Sequence, residues 1–331
     1  MSEELDTDME HFSVTTEQID LPSTATPQAR RVAVAWRGRP ICAFTQGLHR
    51  CYLYPLYSPA GVPLTAESPV DHPHHDSVTV GADMVIAKFP PLTPAISPLT
   101  ESGTYNLYAN NVFQGRSPGR TWSVDVNATE LAPDHLRVVQ TVEWQGPEEW
   151  GAADGRRVLA VETRITDIRP GDVVNTVDIR SQLRPTEWDL TLGPTRHAYF
   201  TVRLAYGLRV VDGGTLIDAE GRRGGAAITN QASAWVDASG AAPHGSRAGL
   251  TVLGHASTAH VPWVAYDWGT VNVNPFAREA ATVQRGDMLD LGIRLLAHEG
   301  DAGEVDIAAH AAELAVETAA GASISRAASR P

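Results

Sequence analysis

The stretch Trp122-Ser123-Val124-Asp125-Val126-Asn127 alternates apolar and polar residues at every step. Successive side chains of a β-strand point to opposite faces, so this alternation places one face on a core and the other in water. The same period recurs in six further segments, at residues 136–145, 156–168, 172–184, 198–211, 248–255 and 287–298. Short turn sequences separate the segments, such as Arg169-Pro170-Gly171-Asp172. Consecutive strands joined by short turns predict an all-β fold, one large antiparallel β-sandwich.

Three other regions depart from this period. Residues 1–26 carry seven carboxylates and no Lys or Arg, which predicts an acidic disordered arm before a sandwich domain at 27–303. Residues 87–119 are rich in Pro, Ser, Asn and Gly and predict a long loop, either a functional flap or a disordered segment. Residues 304–331 predict a short C-terminal helix over 305–318 and a frayed tail.

Charge narrows the classes of partner. The chain has 26 Lys and Arg against 39 Asp and Glu, a formal net charge of −13. Nucleic acids and anionic membranes require basic surfaces, so neither is predicted as a partner, and small neutral or polar molecules suit the chain better. No apolar run approaches the ~20 residues that cross a bilayer, no secretion signal is visible, and Cys42 and Cys51 cannot form a disulfide framework. These features predict a soluble, cytoplasmic protein, with its oligomeric state undetermined.

The densest group of chemically active side chains lies within residues 67–76, which hold three histidines between carboxylates and prolines. Histidine titrates nearest neutrality and serves proton transfer, metal ligation and polar contacts. If residues 72–76 are extended, His72 and His74 share a face and His75 points away. Asp71 or Asp76 would then orient an imidazole through its second nitrogen.

Three interpretations of this cluster remain open. It can be a solvated loop, a metal site or a metal-free site for sugar binding and acid–base chemistry. The metal interpretation assigns His72, His74 and Asp71 to a divalent ion such as Zn, Mn or Ca. No nucleotide-binding glycine motif is present, so no nucleotide cofactor is predicted.

Later strands supply further candidates for catalysis. His197 lies at the predicted start of a strand, after Gly193-Pro194, and is a candidate for acid–base work. Arg196 offers a rigid fork of donors that suits an anion or a carbonyl oxygen. His255, at the end of an apolar strand, is an even choice between a structural and a catalytic role.

Aromatic rings beside carboxylates and amides are typical of carbohydrate sites, where the apolar faces of sugars stack and their hydroxyls need polar partners. On this basis, substrate contacts are predicted for Glu67, Tyr54, Trp263, Asn274 and Tyr108.

These segments together resemble a known bacterial family. The strings Tyr54-Pro55-Leu56, Gly61-Val62-Pro63-Leu64-Thr65, Asp71-His72-Pro73-His74-His75, Thr195-Arg196-His197 and Asn274-Pro275-Phe276 are similar to the family often labelled PmoA-like, or "methane oxygenase PmoA". The resemblance covers roughly residues 30–300. It implies a galactose-mutarotase-like β-supersandwich and a role in carbohydrate metabolism. The methane label does not transfer, because that enzyme's subunit is embedded in a membrane and this chain has no spanning segment.

The leading functional prediction is an enzyme that abstracts a proton from a sugar or an oxidised (keto) sugar, as an epimerase or a lyase. His197 would be the acid–base group and Arg196 would polarise an oxygen, whereas His72 and His74 would ligate a metal or bind the substrate. Catalysis would require both His74 and His197. One alternative is a non-catalytic carbohydrate-binding or sensor protein on the same fold. A second is a glycoside hydrolase that uses Glu67 or Asp71. The leading prediction requires His74 and His197 to meet in one site.

Overall fold

A computed structural model describes residues 7–18, 30–89, 101–148, 155–242 and 245–328. The strands of the first half are β1 (Thr7–Asp8), β2 (Phe12–Gln18), β3 (Arg30–Trp36), β4 (Arg39–Gln46), β5 (Cys51–Leu56), β6 (Val78–Ala82), β7 (Val85–Phe89), β8 (Glu101–Asn106), β9 (Ser117–Pro118), β10 (Arg120–Ala132) and β11 (His135–Glu148). Those of the second half are β12 (Arg156–Arg169), β13 (Val174–Pro185), β14 (Leu190–Leu192), β15 (Ala198–Arg203), β16 (Thr215–Asp218), β17 (Trp235–Ala241), β18 (Arg247–Gly254), β19 (Trp263–Tyr266), β20 (Thr270–Val273), β21 (Ala281–Val283) and β22 (Leu289–Glu299). The described helices are a 3-10 turn at Val210–Asp212, α1 (Gly225–Ile228) and α2 (Ile307–Ala328).

The strands form three sheets. The nine-stranded sheet has the order β1-β2-β3-β4-β5-β6-β15-β20-β19, the eight-stranded sheet β10-β11-β12-β13-β22-β18-β17-β16, and the five-stranded sheet β21-β14-β7-β8-β9. In the described ranges every pairing of strands is antiparallel except that of β8 with β9. The predicted all-β, antiparallel architecture is confirmed.

One hydrophobic core joins the sheets. In β11 the alternating pattern buries Leu136, Val138 and Val142 and leaves the intervening side chains more exposed. These residues belong to the same buried cluster as Val34 of the nine-stranded sheet and Leu192 of the five-stranded sheet. Burial of one such side chain contributes about 1.5–3 kcal/mol, so the alternation read from the sequence is also what holds the layers together.

Part of the predicted disordered arm is a strand. β2 pairs with β3 along its whole length, from Phe12 opposite Trp36 to Gln18 opposite Arg30. Phe12 and Val14 alternate inward and are 2% and 0% exposed, which outweighs the acidic composition around them. The disorder prediction is therefore wrong for this segment, and residues 1–6 and 19–26 lie outside the described ranges.

The predicted long loop at 87–119 is also partly regular. β8 pairs with β7, with Tyr105 opposite Val85, and residues 90–100 lie outside the described ranges. After β8 the chain turns through 107–116 before the short strand β9. That turn, rather than the whole predicted loop, carries Tyr108 and Phe113.

The C-terminal helix is confirmed, and α2 runs beyond the predicted end at residue 318. Ile307 and Leu314 pack with Leu253 and Leu296 of the eight-stranded sheet in a second, smaller buried cluster. Among the helices that the structure describes, none combines the length and the hydropathy needed to cross a membrane.

Candidate active site

The site lies along three neighbouring strands of the nine-stranded sheet. β15 pairs with β6 on one side and with β20 on the other, with Thr201 opposite both Thr79 and Asn272. Because β6 and β15 are antiparallel, the loop before β6 lies beside the end of β15, and the residue after β6 lies beside the start of β15. The register thus brings the histidine-rich loop near Arg203, and Asp83 near His197.

The histidine-rich loop is a turn and not an extended segment. The backbone N–H of His75 donates to the carbonyl of His72 at 2.9 Å. The rings of His72 and His75 stack with centroids 4.8 Å apart, and His74 lies edge-on to His75 at 4.5 Å. The predicted alternation, with His75 pointing away, is wrong, because the turn folds all three imidazoles into one cluster.

Trp268, Arg203 and Asp71 pack against this cluster. His72 stacks on Trp268 with ring centroids 4.3 Å apart, and the guanidinium of Arg203 lies 4.9 Å from the Trp268 centroid. Arg203 donates through Nη2 to both oxygens of Asp71, at 2.7 and 2.8 Å. Asp71 in turn lies 3.1 Å from Nδ1 of His72, the kind of orienting contact that the sequence predicted. Although burial opposes it, hydrogen bonds from Arg203 and His72 lower the pKa of Asp71 to about 2.

Tyr108 connects the histidine-rich loop to His197. Its hydroxyl lies 2.8 Å from Nε2 of His75. Its ring centroid is 5.7 Å from that of His74 and 5.2 Å from that of His197. Phe113 packs edge-on against His197 at 5.0 Å. His74 and His197, 123 positions apart in the sequence (197 − 74), therefore border the same site, as the leading prediction requires.

His197 has a defined tautomer. The Nε–H of Arg196 donates to Nε2 of His197 at 3.1 Å, so Nε2 is an acceptor. The proton of the neutral ring is then on Nδ1, which lies 3.0 Å from Oδ2 of Asp83 and donates to it. Asp83 is fully buried and also accepts a hydrogen bond from the Thr195 hydroxyl. A buried carboxylate thus fixes the ring and leaves the Nε2 lone pair facing Arg196.

The imidazoles of His74 and His75 stay neutral near pH 7. Burial, with the positive fields of His72, His197 and Arg50, lowers the pKa of His74 to about 4. Burial and the neighbouring imidazoles lower the pKa of His75 to about 3. A neutral imidazole can donate and accept one hydrogen bond each, which suits contacts to sugar hydroxyls.

One family covers most of the chain. The "Family of unknown function (DUF6807)" matches residues 31–312. The chain belongs to the DUF6807 family. The PmoA-like label that the sequence strings suggested is not confirmed, and no curated protein sequence matches this DUF6807 chain.

Two solved structures share part of the architecture of the DUF6807 chain. One is a candidate aldose 1-epimerase from Klebsiella pneumoniae subsp. pneumoniae MGH 78578, with 10% identity, 94% of this chain and 88% of that chain covered, and a TM-score of 0.41. The other is the Slr1438 protein from Synechocystis sp. PCC 6803, with 10% identity, 82% and 92% coverage, and a TM-score of 0.33. At these scores neither likeness bears on the function of the DUF6807 chain.

Several predicted site residues of the DUF6807 chain have other structural roles. Trp263 is 2% exposed and donates its indole N–H to the Ser233 carbonyl. Asn274 is 1% exposed and donates to the Thr195 carbonyl at 2.7 Å, so it supports the segment that precedes His197. Neither side chain has surface to offer a ligand, because tertiary packing encloses both.

Glu67 and Tyr54 both contact Arg31, and His255 lies apart from them on the eight-stranded sheet. Glu67 accepts from Arg31 at 3.1 Å, and Arg31 also lies over the Tyr54 ring at 5.1 Å. His255 lies 3.5 Å from Asp178 on the eight-stranded sheet, and none of its contacts in the described part of the chain reaches the histidine cluster. The catalytic role of His255 stays a prediction and is not part of the proposed function.

The predicted metal site combines His72, His74 and Asp71. Within the described ranges, no group of three or more His, Cys, Asp or Glu side chains is arranged to hold a metal ion. Nδ1 of His72 already contacts Asp71, and His75 contacts Tyr108. The Zn, Mn or Ca site predicted on His72, His74 and Asp71 stays a prediction, and the proposed function does not use it.

Three residues that are not among the predicted site residues complete the site. Asp83 follows β6 directly, Arg203 ends β15, and Trp268 lies in the turn between β19 and β20. Trp268 stood in a visible aromatic cluster, Tyr266-Asp267-Trp268, so its composition was a usable signal. Asp83 and Arg203 had no local signal, because their partners are 114 and 132 residues away.

Proposed function

We propose that this chain is an enzyme that removes a proton from a sugar or an oxidised sugar, with His197 as the base. The observation that carries the proposal is the Asp83–His197 pair. A buried carboxylate holds the imidazole by Nδ1 at 3.0 Å and leaves Nε2 as the acceptor. Such a third group that orients the base is the arrangement used for proton transfer in enzymes.

Arg196 supplies the complementary positive charge. It is exposed, and its Nε–H donates to Nε2 of His197. Because the side chain is exposed, it can move aside when a substrate C–H bond takes its place at Nε2. Its guanidinium then lies next to the reacting carbon, where it would stabilise negative charge that develops on a neighbouring carbonyl oxygen. The imidazolium of His197 then returns the proton. Delivery to the opposite face of a sugar that has turned over in the site gives epimerisation, and delivery to a leaving group gives elimination.

The surrounding side chains suit a sugar. His74, Phe113 and Trp268 are half-buried, whereas Tyr108 and His75 are buried. Apolar sugar faces stack on aromatic rings, and sugar hydroxyls pair with neutral imidazoles and phenols. In this assignment His74, which is neutral near pH 7, binds a hydroxyl.

The glycoside-hydrolase alternative loses support. Glu67 is held by Arg31 and by the Tyr52 hydroxyl, and Asp71 is held by Arg203. Inverting and retaining hydrolases need one carboxyl that stays protonated near neutral pH. A carboxyl with a pKa of about 2, as in Asp71, cannot serve as that acid.

The test is hydrogen exchange at carbon. The wild-type protein is incubated in D₂O with a panel of aldoses, ketoses, keto-sugars and sugar acids, and mass spectrometry records deuterium bound to carbon. Asp83→Asn should slow the exchange by roughly 10²–10⁴-fold, because it removes the group that fixes the base. His197→Gln should slow it at least as much.

Asp167→Asn is the matched control, since it removes the carboxylate 2.7 Å from Nε2 of His135 on the eight-stranded sheet. It should leave the exchange rate unchanged. Equal rates in wild type and Asp83→Asn would refute the role of the pair. Saturable sugar binding without exchange would favour the binding-protein alternative.

A further inference from the structure

The charges around the site do not cancel. Four guanidinium groups act on it: Arg50 on His74, Arg203 on His75, Arg116 on Asp83 and Arg196 on His197. The carboxylates there are Asp71, Asp76 and Asp83. Glu67 also acts on Asp76, but Arg31 pairs with Glu67 at 3.1 Å and cancels its charge. Four positive charges against at most three negative ones leave at least one positive charge, within a chain whose formal charge is −13.

The carboxylates are matched to particular arginines. Asp71 pairs with Arg203 at 2.7 Å, and Asp83 lies 3.5 Å from Nη1 of Arg116. The third carboxylate, Asp76, lies within electrostatic reach of the buried Arg50. These matches account for three of the four arginines.

Arg196 is the arginine left over. Within the part of the chain that the structure describes, no carboxylate lies within 4.0 Å of its guanidinium. Its Nε–H donates to Nε2 of His197, and the residue as a whole is exposed. This guanidinium lies beside the base and has no negative partner in the described part of the protein. It therefore fits a substrate that carries a negative charge.

We propose that the substrate is a sugar acid whose carboxylate binds Arg196 beside Nε2 of His197. The inference rests on the proposed function and names the substrate class for the same site. A single guanidinium without a counter-charge suits a carboxylate, which carries one negative charge. The planar guanidinium can donate two parallel hydrogen bonds to the two carboxylate oxygens. A phosphate monoester carries close to two negative charges at neutral pH and fits that count less well.

Calorimetry with matched pairs tests the inference on the full-length protein. Glucuronate is compared with glucose, galacturonate with galactose, gluconate represents open-chain acids, and glucose 6-phosphate represents phosphates. At least one acid should bind about tenfold more tightly than its neutral counterpart, and more tightly than the phosphate. Arg196→Gln should weaken that binding by about ten- to a hundredfold, and raising the salt concentration should weaken it in the wild type.

Arg180→Gln is the control, because Arg180 is an exposed arginine paired with Asp290 on the eight-stranded sheet. It should leave the affinity unchanged. The inference is overturned if neutral sugars bind as tightly as the acids, if glucose 6-phosphate binds best, if Arg196→Gln has no effect, or if no acid in the panel binds.

The two proposals fail in different ways. Deuterium exchange on a neutral sugar that depends on Asp83, with no preference for acids, keeps the proposed function and overturns this inference. Binding of an acid through Arg196 without exchange by the wild type keeps the inference and overturns the enzymatic proposal.

Discussion

The burial of Asp76 makes the stability of the protein depend on pH. It is 7% exposed, accepts a hydrogen bond from the Ser68 hydroxyl at 3.0 Å, and burial raises its pKa to about 6. A raised carboxyl pKa means that the folded state binds the proton more tightly than the unfolded state does. The contribution of Asp76 to stability is therefore full below its unfolded pKa of about 4 and is lost as the pH rises through about 6.

We expect Asp76→Asn to remove this pH-dependent contribution. An amide has similar shape and no charge to bury, so the variant should be more stable than the wild type above pH 6. The gain should be about 2–3 kcal/mol at pH 7.5 and should disappear at pH 4. Urea unfolding at pH 4, 6 and 7.5 measures it. Ser68→Ala, which removes the hydrogen-bond donor, should instead destabilise at pH 7.5; a stability difference independent of pH in Asp76→Asn would contradict the assignment.

Strand β6 and the turn after β8 are held so closely that only glycine fits between them. A Cβ on Gly81 would lie 2.3 Å from the Leu107 carbonyl oxygen, and the Leu107 N–H donates to the Ala82 carbonyl at 2.7 Å. The next residue is Tyr108, which connects His75 to His197. The close approach of two backbones thus fixes the position of a site residue.

Gly81→Ala should therefore affect both stability and the site. Forcing the backbones apart should cost about 1–3 kcal/mol of unfolding free energy, and it should slow the deuterium exchange by moving Tyr108. Urea unfolding and the exchange assay measure the two effects. The control is Gly303→Ala, where the nearest atom to the new Cβ is 3.4 Å away. Equal behaviour of the two variants would show that the contact does not position the tyrosine.

At the scale of elements, the sequence predicts strands well where both partners alternate over many residues. β11, β12, β13 and β22 are long, and their inward residues form the core. β2 and β8 were missed, because their compositions are acidic and loop-like and their stability comes from pairing with β3 and β7. Tertiary pairing overrides local composition in such short strands.

At the scale of the whole molecule, a buried polar network connects the two large sheets. Arg164 and Glu162, on β12 of the eight-stranded sheet, form two hydrogen bonds of 2.9 Å and are almost fully buried. The Trp144 indole N–H also donates to Glu162, and Arg164 donates to the carbonyl of Cys51 on β5 of the nine-stranded sheet. The network crosses the interface between the layers.

We expect Glu162→Gln to destabilise the protein by about 3–5 kcal/mol, because it leaves the charge of Arg164 buried without a counter-charge. Guanidinium chloride would screen the ions, so urea unfolding is the suitable measurement. Asp290→Asn is the matched control: it breaks the pair with Arg180, whose side chain is 47% exposed, and it should cost at most about 1 kcal/mol. Losses of similar size in both variants would rule out a special role for the buried network.

The sequence by itself determined the all-β class, the main strands and two local groups of the site, the loop at 67–76 and the adjacent Arg196 and His197. The periodicity of a strand and the proximity of residues that are adjacent in the sequence are local properties, so they can be predicted from short stretches of sequence. Tertiary structure alone decided that Asp83 orients His197 and that Arg203 holds Asp71, across 114 and 132 residues. Those contacts follow from the register of β6 against β15, and register is set by the packing of the whole sheet rather than by any one segment.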